Sequence, residues 1–192
     1  MVGTYGKVLT VKQNLQLNSM KKIITLAFIL VSTLVNAQTF KFNNEGTADY
    51  VIYTVDKATA NDLYTKMLNW VNTTYKNPDA VIKAKIENQM IRLEGLEKNA
   101  FSRTFKSGNV AGYDVYYSLT LEFQDGKYRV KYQHDKITVD GGQVHFNISD
   151  VLNNVPDVNG NGWTGAKQQY EGKINLLLTS IKNYLCTDKD SW

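Results

Sequence analysis

The sequence predicts an α+β domain: a curved antiparallel sheet of five or six strands with two helices packed on one face. Residues 113–134 alternate apolar and polar side chains on both sides of Asp125-Gly126, the pattern of a long hairpin with one dry face and one wet face. Residues 63–74 and 170–185 instead repeat their apolar side chains at helical spacing, which predicts two amphipathic helices to cover the dry face. A composition of 43% hydrophobic and 21% charged residues excludes a disordered tail or a disulfide-dense scaffold.

A leader precedes the domain. Met20-Lys21-Lys22, the apolar run 23–31 and the small residues before Gln38 have the positive start, apolar middle and cleavage site of a secretory signal peptide, with cleavage expected after Ala37. The run is too short to cross a bilayer comfortably, so no membrane span is expected after cleavage. Residues 1–19 would bury the positive start inside the chain and read as an over-called start. Residues 1–37 are therefore assigned to the leader and 38–192 to a single domain, expected to be a periplasmic or secreted monomer. Removing Lys7, Lys12, Lys21 and Lys22 from the 22 basic residues leaves 18 against 18 acidic ones. The excess positive charge thus belongs to the leader, and a nucleic-acid partner loses its electrostatic support. Cys186 is the single cysteine, so an apolar core must hold the fold without an internal disulfide.

Along the domain, residues 38–48 read as a polar lead-in and 49–55, rich in β-branched and aromatic residues, as a first strand. Thr59 with Asp62 resembles a capping box ahead of the first helix, whose buried stripe is Leu63, Met67, Trp70, Val71 and Thr74. Asn77-Pro78 ends that helix, because the residue before proline is pushed out of helical geometry. Residues 81–87 and 90–96 alternate apolar and charged side chains and read as half-buried strands around a turn at 87–89, while 98–112 read as a loop or irregular edge. The two-residue turn at Asp125-Gly126 sets the next register: Phe123 faces Tyr128, Leu121 faces Val130, Leu119 faces Tyr132 and Tyr117 faces His134. On the wet side Glu122 opposes Arg129 and Thr120 opposes Lys131, pairs of about 0.2–1 kcal/mol each. Ile137 and Val139 extend the return strand; Val144, Phe146 and Ile148 alternate beyond it, and an Asn/Gly-rich loop at 153–165 leads to the last helix.

The order strand, helix, four strands, helix, and the block Tyr117-Ser118-Leu119-Thr120-Leu121-Glu122-Phe123-Gln124-Asp125-Gly126-Lys127-Tyr128-Arg129-Val130, resemble a known family. It is the exported Bacteroidetes-type domain of unknown function with a TATA-binding-protein-like (TBP-like) fold. Trp70, Asn77 and Pro78 match that family's Trp-containing helix end before Asn-Pro. The resemblance covers roughly residues 49–186 and implies the TBP-like fold; its motifs are structural and imply no mechanism.

Asp157, Asn159 and Asn161 place oxygen atoms at positions 1, 3 and 5 of a calcium-type loop with Gly162 at 6, but Gln168 stands at 12 where a bidentate carboxylate belongs. A plain turn-rich loop is the simpler reading. No metal or cofactor is expected, and Trp163 is then a hydrophobic plug or an exposed contact. His134, at the inner edge of the hairpin, and His145, on the polar side of its strand, have no further ligand at metal spacing. Ser102, Ser107, Ser118 and Cys186 lack a base beside them, and Glu94 with Glu97 reads as surface carboxylates, so no catalytic residue is assigned.

The wet face carries Lys83, Lys85, Arg92, Arg129 and Lys131 against Glu87, Glu94, Asp114, Glu122 and Asp135, and is expected to be neutral. The preferred reading is a non-enzymatic binding module in which Tyr116, Arg129, Lys131 and Trp163 contact a polar ligand or another envelope protein. One alternative is a hydrolase drawing on scattered carboxylates and His134 or His145. The other is a carrier of a small apolar ligand between sheet and helices, a space that Trp70, Tyr117, Phe123, Tyr128 and Tyr132 are ample to fill.

Overall fold

The computed structural model describes residues 39–43, 50–139, 142–144 and 146–186. The leader with its cleavage site, and His145, lie outside the described residues. In chain order the elements are β1 (Val51–Thr54), α1 (Ala60–Thr74), α2 (Pro78–Val81), β2 (Ile82–Ile86), β3 (Met90–Thr104), β4 (Val110–Gln124), β5 (Lys127–Val139), β6 (Gly142–Val144), α3 (Ile148–Leu152) and α4 (Ala166–Cys186). The strands form one antiparallel sheet in the order β1-β5-β4-β3-β2, with β6 paired to the far end of β5. Helices α1 and α4 bury their apolar stripes on one face of it, the arrangement that the alternating hairpin and the two helical periods require. Among the described residues no helix is long and apolar enough to cross a membrane.

The central hairpin has the expected register, from Phe123 with Tyr128 through Tyr117 with His134, and Glu122 opposes Arg129. At its turn only Gly126 takes a positive φ, 76°. Asp125 instead accepts the Ala60 amide at 2.8 Å, tying the turn to the start of α1. The capping box is present: Thr59 Oγ1 accepts the Asp62 amide at 3.1 Å and Asp62 Oδ2 accepts the Thr59 amide at 3.0 Å. On β5, Tyr116 pairs with Lys136 while Tyr117 pairs with His134, so Asp135 is the extra residue of a bulge. That bulge switches the parity, bringing odd-numbered Ile137 to the same buried face as even-numbered Tyr128, Val130 and Tyr132.

Five segments depart from the sequence expectations, each for a local reason. The lead-in contributes to the core: Phe40 and Phe42 are buried against Tyr132 and Tyr170, and α4 receives their amides on Asn175 Oδ1 and Glu171 Oε1 at 2.9 Å each. Helix α1 ends at Thr74, which is exposed, and Tyr64 takes its place in the buried stripe. Pro78 then opens α2 at a position where its missing N–H costs nothing. Residues 98–104 and 110–112 are strand rather than loop, because Asn99 at φ 48° absorbs a bulge that returns Phe101 to the core opposite Tyr113. The run 144–148 is strand only to Val144, since Asn147 caps α3 and Ile148 is buried as its first residue.

Strand β2 is the fifth departure. A register shift between Ile82 and Ala84 pairs Lys85 with buried Ile91 and Ile86 with Met90. Cross-strand partners share a face, so Lys85 moves to the helix side of the edge, while Ala84 and Ile86 join the open side.

The interior is closed by aromatic side chains. Tyr117 and Tyr132 stack at 5.1 Å, and the Tyr132 and Tyr170 hydroxyls meet at 3.0 Å. Burial pushes the phenols of Tyr117, Tyr132 and Tyr170 well above their ordinary range, so they remain neutral hydrogen-bonding groups. Tyr128 is 1% exposed and stacks on Tyr53, yet its hydroxyl is buried without a hydrogen-bond partner. Tyr128→Phe removes the unsatisfied group and keeps the ring. It should therefore stabilise the protein by about 1 kcal/mol, read as a rise of roughly 2–4 °C in Tm; a lower Tm would contradict this account of the hydroxyl.

Candidate functional site

The sheet face opposite the helices is where side chains are left for chemistry, and the strand registers assemble it row by row. Nearest the β4–β5 turn, Ile52 pairs with Arg129, Arg129 with Glu122, Glu122 with Met90 and Met90 with Ile86, one residue from each of five strands. Ile52 and Ile86 are each 50% exposed at the two ends of this row. They flank a concavity of about 610 Å³ that Gln89, Gln124 and Lys127 also line. The next row runs through Ala84, Arg92, Thr120 and Lys131, and the one beyond through Glu94, Ser118 and Gln133.

At the first row Arg129 is held on two sides. Its Nε donates to Glu122 Oε2 at 2.6 Å and its Nη2 pairs with the same oxygen, while its guanidinium carbon lies 4.2 Å from the Tyr50 ring centroid. Lys131 Nζ stands 5.7 Å from that same ring. Both partners of the ion pair are substantially exposed, at 47% and 34%, so the pair orders the side chain more than it stabilises the fold. Lys127, Arg129 and Lys131 occupy alternate positions of β5 and project from the open face about 6.7 Å apart.

The opposite half of the face gathers carboxylates, with Lys83 and Lys136 among them. Asp135 sits at the β5 bulge, and its carboxyl is raised from the ordinary aspartate range by burial and by the Glu94 charge, against the pull of Arg92, His134 and a hydrogen bond from Ser118. Ser118 is buried beneath this group although it lies on the open face. Lys83 reaches Glu94 at 3.8 Å, and Lys136 lies 4.1 Å from the Tyr116 ring centroid. The face is thus not uniformly neutral, as summing its charges suggests. Basic groups collect toward the hairpin turn and carboxylates toward the bulge.

Of the four expected contact residues, the structure places Tyr116, Arg129 and Lys131 on this face. Tyr116 lies six residues along β4 from Glu122, about 20 Å from the Arg129 row. Trp163 is not on the rim: it is 5% exposed on the helix side, against Phe146, Tyr113 and Phe101 at 4.9, 5.3 and 6.0 Å. Arg103 lies 4.0 Å over the indole ring and donates to the Gly162 carbonyl at 3.1 Å and to the Asn161 carbonyl. The same guanidinium pairs with Asp157 at 2.9 Å, and Asp157 Oδ1 accepts the amides of Asn159 and Asn161. These bonds hold its carboxyl below the ordinary aspartate range, the backbone bond from Asn161 contributing most. Asp157, Asn159 and Asn161 therefore form a loop closed on Arg103, and a cation there would have to displace the guanidinium.

His134 faces Tyr117 on the helix side, where burial lowers its pKa, whereas Asp135 and Glu94 stand on the open side. The neighbouring Asp135 charge still acts on the imidazole, against the larger effect of burial. The residues sequence reasoning missed are Tyr50, Ile52, Ile86, Met90 and Lys127. Ile52 carried a readable signal, an aliphatic residue at the solvent parity between Val51 and Tyr53; Ile86 did not, because its face depends on the β2 irregularity.

Comparisons with known proteins follow the sheet. No curated protein matches the chain. It is similar to a crystal structure of a DUF4468 family protein from Bacteroides ovatus, at 12% identity and a TM-score of 0.54, covering 83% of this chain and 96% of that one. A TBP-like protein from Parabacteroides distasonis is similar at the same identity and TM-score, covering 77% of this chain and 96% of that one. The family model matches residues 50–138, which run from the start of β1 through nearly all of β5 and build the open face. Over that segment the chain matches the family described as a domain of unknown function (DUF4468) with TBP-like fold.

Proposed function

We propose that this protein is an exported binding module that takes its partner, a polar ligand or another envelope protein, on the open face of the sheet. The observation that carries the reading is the row Ile52, Arg129, Glu122, Met90 and Ile86, in which aliphatic side chains flank an ordered ion pair beside a concavity. Single exposed aliphatic residues need no explanation; several in one recessed row on a charged face do. The leader supports export, and Phe40, the first buried residue among the described ones, stands three positions after the expected cleavage site at Ala37. The hydrolase reading has less support, because His134 pairs with Tyr117 on the helix side while Glu94 pairs with Ser118 on the open face. So has the carrier reading, since buried tyrosine and phenylalanine rings pack between sheet and helices.

The test is capture from an envelope extract by the parent protein and by the variant Arg129→Glu, Lys131→Glu. Both side chains are exposed, so the variant should melt within about 2–4 °C of the parent. It should lose the species that the parent retains. Retention of the same species at the same level would remove the open face as the binding surface.

A further inference from the structure

We propose that the hairpin-turn half of the open face is a site for a small anionic amphiphile, one carboxylate or similar anionic group carrying an aliphatic body. The inference rests on the open-face reading above and names the ligand chemistry. Three observations converge on it. First, Lys127, Arg129 and Lys131 line up along β5 with Glu122 as the one carboxylate paired among them, so the local field favours an anion. Second, Arg129 is preorganised by Glu122 and Tyr50 while those contacts use only part of a guanidinium that carries five N–H donors, leaving donors for a ligand. Third, the concavity beside it is floored by Met90 and walled by Ile86, and about 14 Å separates Arg129 from Ile86 across three strand spacings.

The combination selects among ligand types. A neutral apolar molecule would leave the cations unused, and an inorganic anion would leave the aliphatic wall unused. A divalent cation would be repelled. A volume of about 610 Å³ lies in the range of small-molecule sites, whereas a bilayer surface would have to bend into a recess to reach Met90. In the bound state the anionic group meets Arg129 and Lys127, and the aliphatic body lies against Met90 and Ile86.

Dodecanoate below its micelle concentration is a suitable probe, titrated into the full chain and followed by backbone amide shifts. The expected result is saturable binding with shifts at Ile86, Met90 and Arg129, and binding of dodecanol weaker by about tenfold or more. Lys127→Gln together with Ile86→Asp, both at exposed positions, should weaken dodecanoate by a similar factor and leave Tm within about 2 °C. Should that variant fail to fold, raising salt from about 50 to about 500 mM in the parent protein should weaken dodecanoate and spare dodecanol. Absence of saturable shifts, equal binding of dodecanol, association only with phosphatidylglycerol vesicles, or shifts centred on Trp70 and Tyr184 would each overturn the inference. If dodecanoate fails while charge reversal at Arg129 and Lys131 still abolishes capture, the ligand class falls and the open-face reading stands.

Discussion

Replacing Trp163 with alanine should lower the stability of the protein by about 3–5 kcal/mol, the cost of emptying a large aromatic site in a packed interior. The indole is nearly inaccessible and touches Phe101, Tyr113 and Phe146, so three rings lose a neighbour at once. It also lies beneath Arg103, whose guanidinium closes the loop 157–162 by bonding two carbonyls and the Asp157 carboxylate. Without the ring, Arg103 loses its stacking partner and the loop loses the base on which it rests. For a domain of this size the loss corresponds to a Tm lower by roughly 6–20 °C, measured by thermal denaturation. Trp163→Phe should recover part of it. Dodecanoate binding by the folded fraction should be unchanged, because the ring is on the helix side of the sheet. The opposite result, an unaltered Tm with partner capture lost, is what an exposed anchor residue would give and would falsify the buried placement.

Trp163, which the sequence leaves as either a hydrophobic plug or an exposed contact, is the plug, and that undecided choice marks where local pattern stops being informative. The β4–β5 register was legible because a two-residue turn leaves one way to pair the strands, and every pair from Phe123–Tyr128 to Tyr117–His134 follows from it. The buried stripes of α1 and α4 were legible because helical spacing alone picks out Leu63, Met67, Trp70, Ile174 and Leu178. Bulges broke that logic. An extra residue at Asp135 and another between Ile82 and Ala84 each exchange the two faces of a strand, the shift near Asn99 inserts two residues and keeps the parity, and no composition signal announces any of them. Lys85 and Ile86 were consequently placed on the wrong sides, and that error concealed one wall of the candidate site. Trp163 lies in an Asn/Gly-rich loop with no period at all, so its burial depends on Arg103, 60 positions earlier in the chain. The charge segregation of the open face was hidden for a related reason: adding charges over a surface discards which row each occupies.

Gly95→Ala should be the most damaging small substitution in the sheet. Gly95 pairs with Tyr117 across β3 and β4, and a Cβ added there would stand 2.5 Å from the Tyr117 hydroxyl oxygen and 2.6 Å from the ring carbon that bears it. Neither distance is compatible with non-bonded contact, so the ring must move. It has little freedom to do so, being buried, stacked on Tyr132 and hydrogen-bonded through its hydroxyl to Tyr75. The glycine is therefore required by close approach of a ring rather than by an unusual backbone angle. Overpacking of this kind costs about 1–3 kcal/mol, a fall of roughly 2–12 °C in Tm. Tyr117→Phe leaves the offending ring carbon in place and should rescue little, whereas Tyr117→Leu vacates the space. Combined with Gly95→Ala, the leucine variant should be markedly less unstable than the sum of the two single changes, the signature of direct contact in a double-mutant cycle. Strict additivity would mean that the two positions do not meet, and with that the register of β3 on β4, from which the rows of the open face are drawn, would fail.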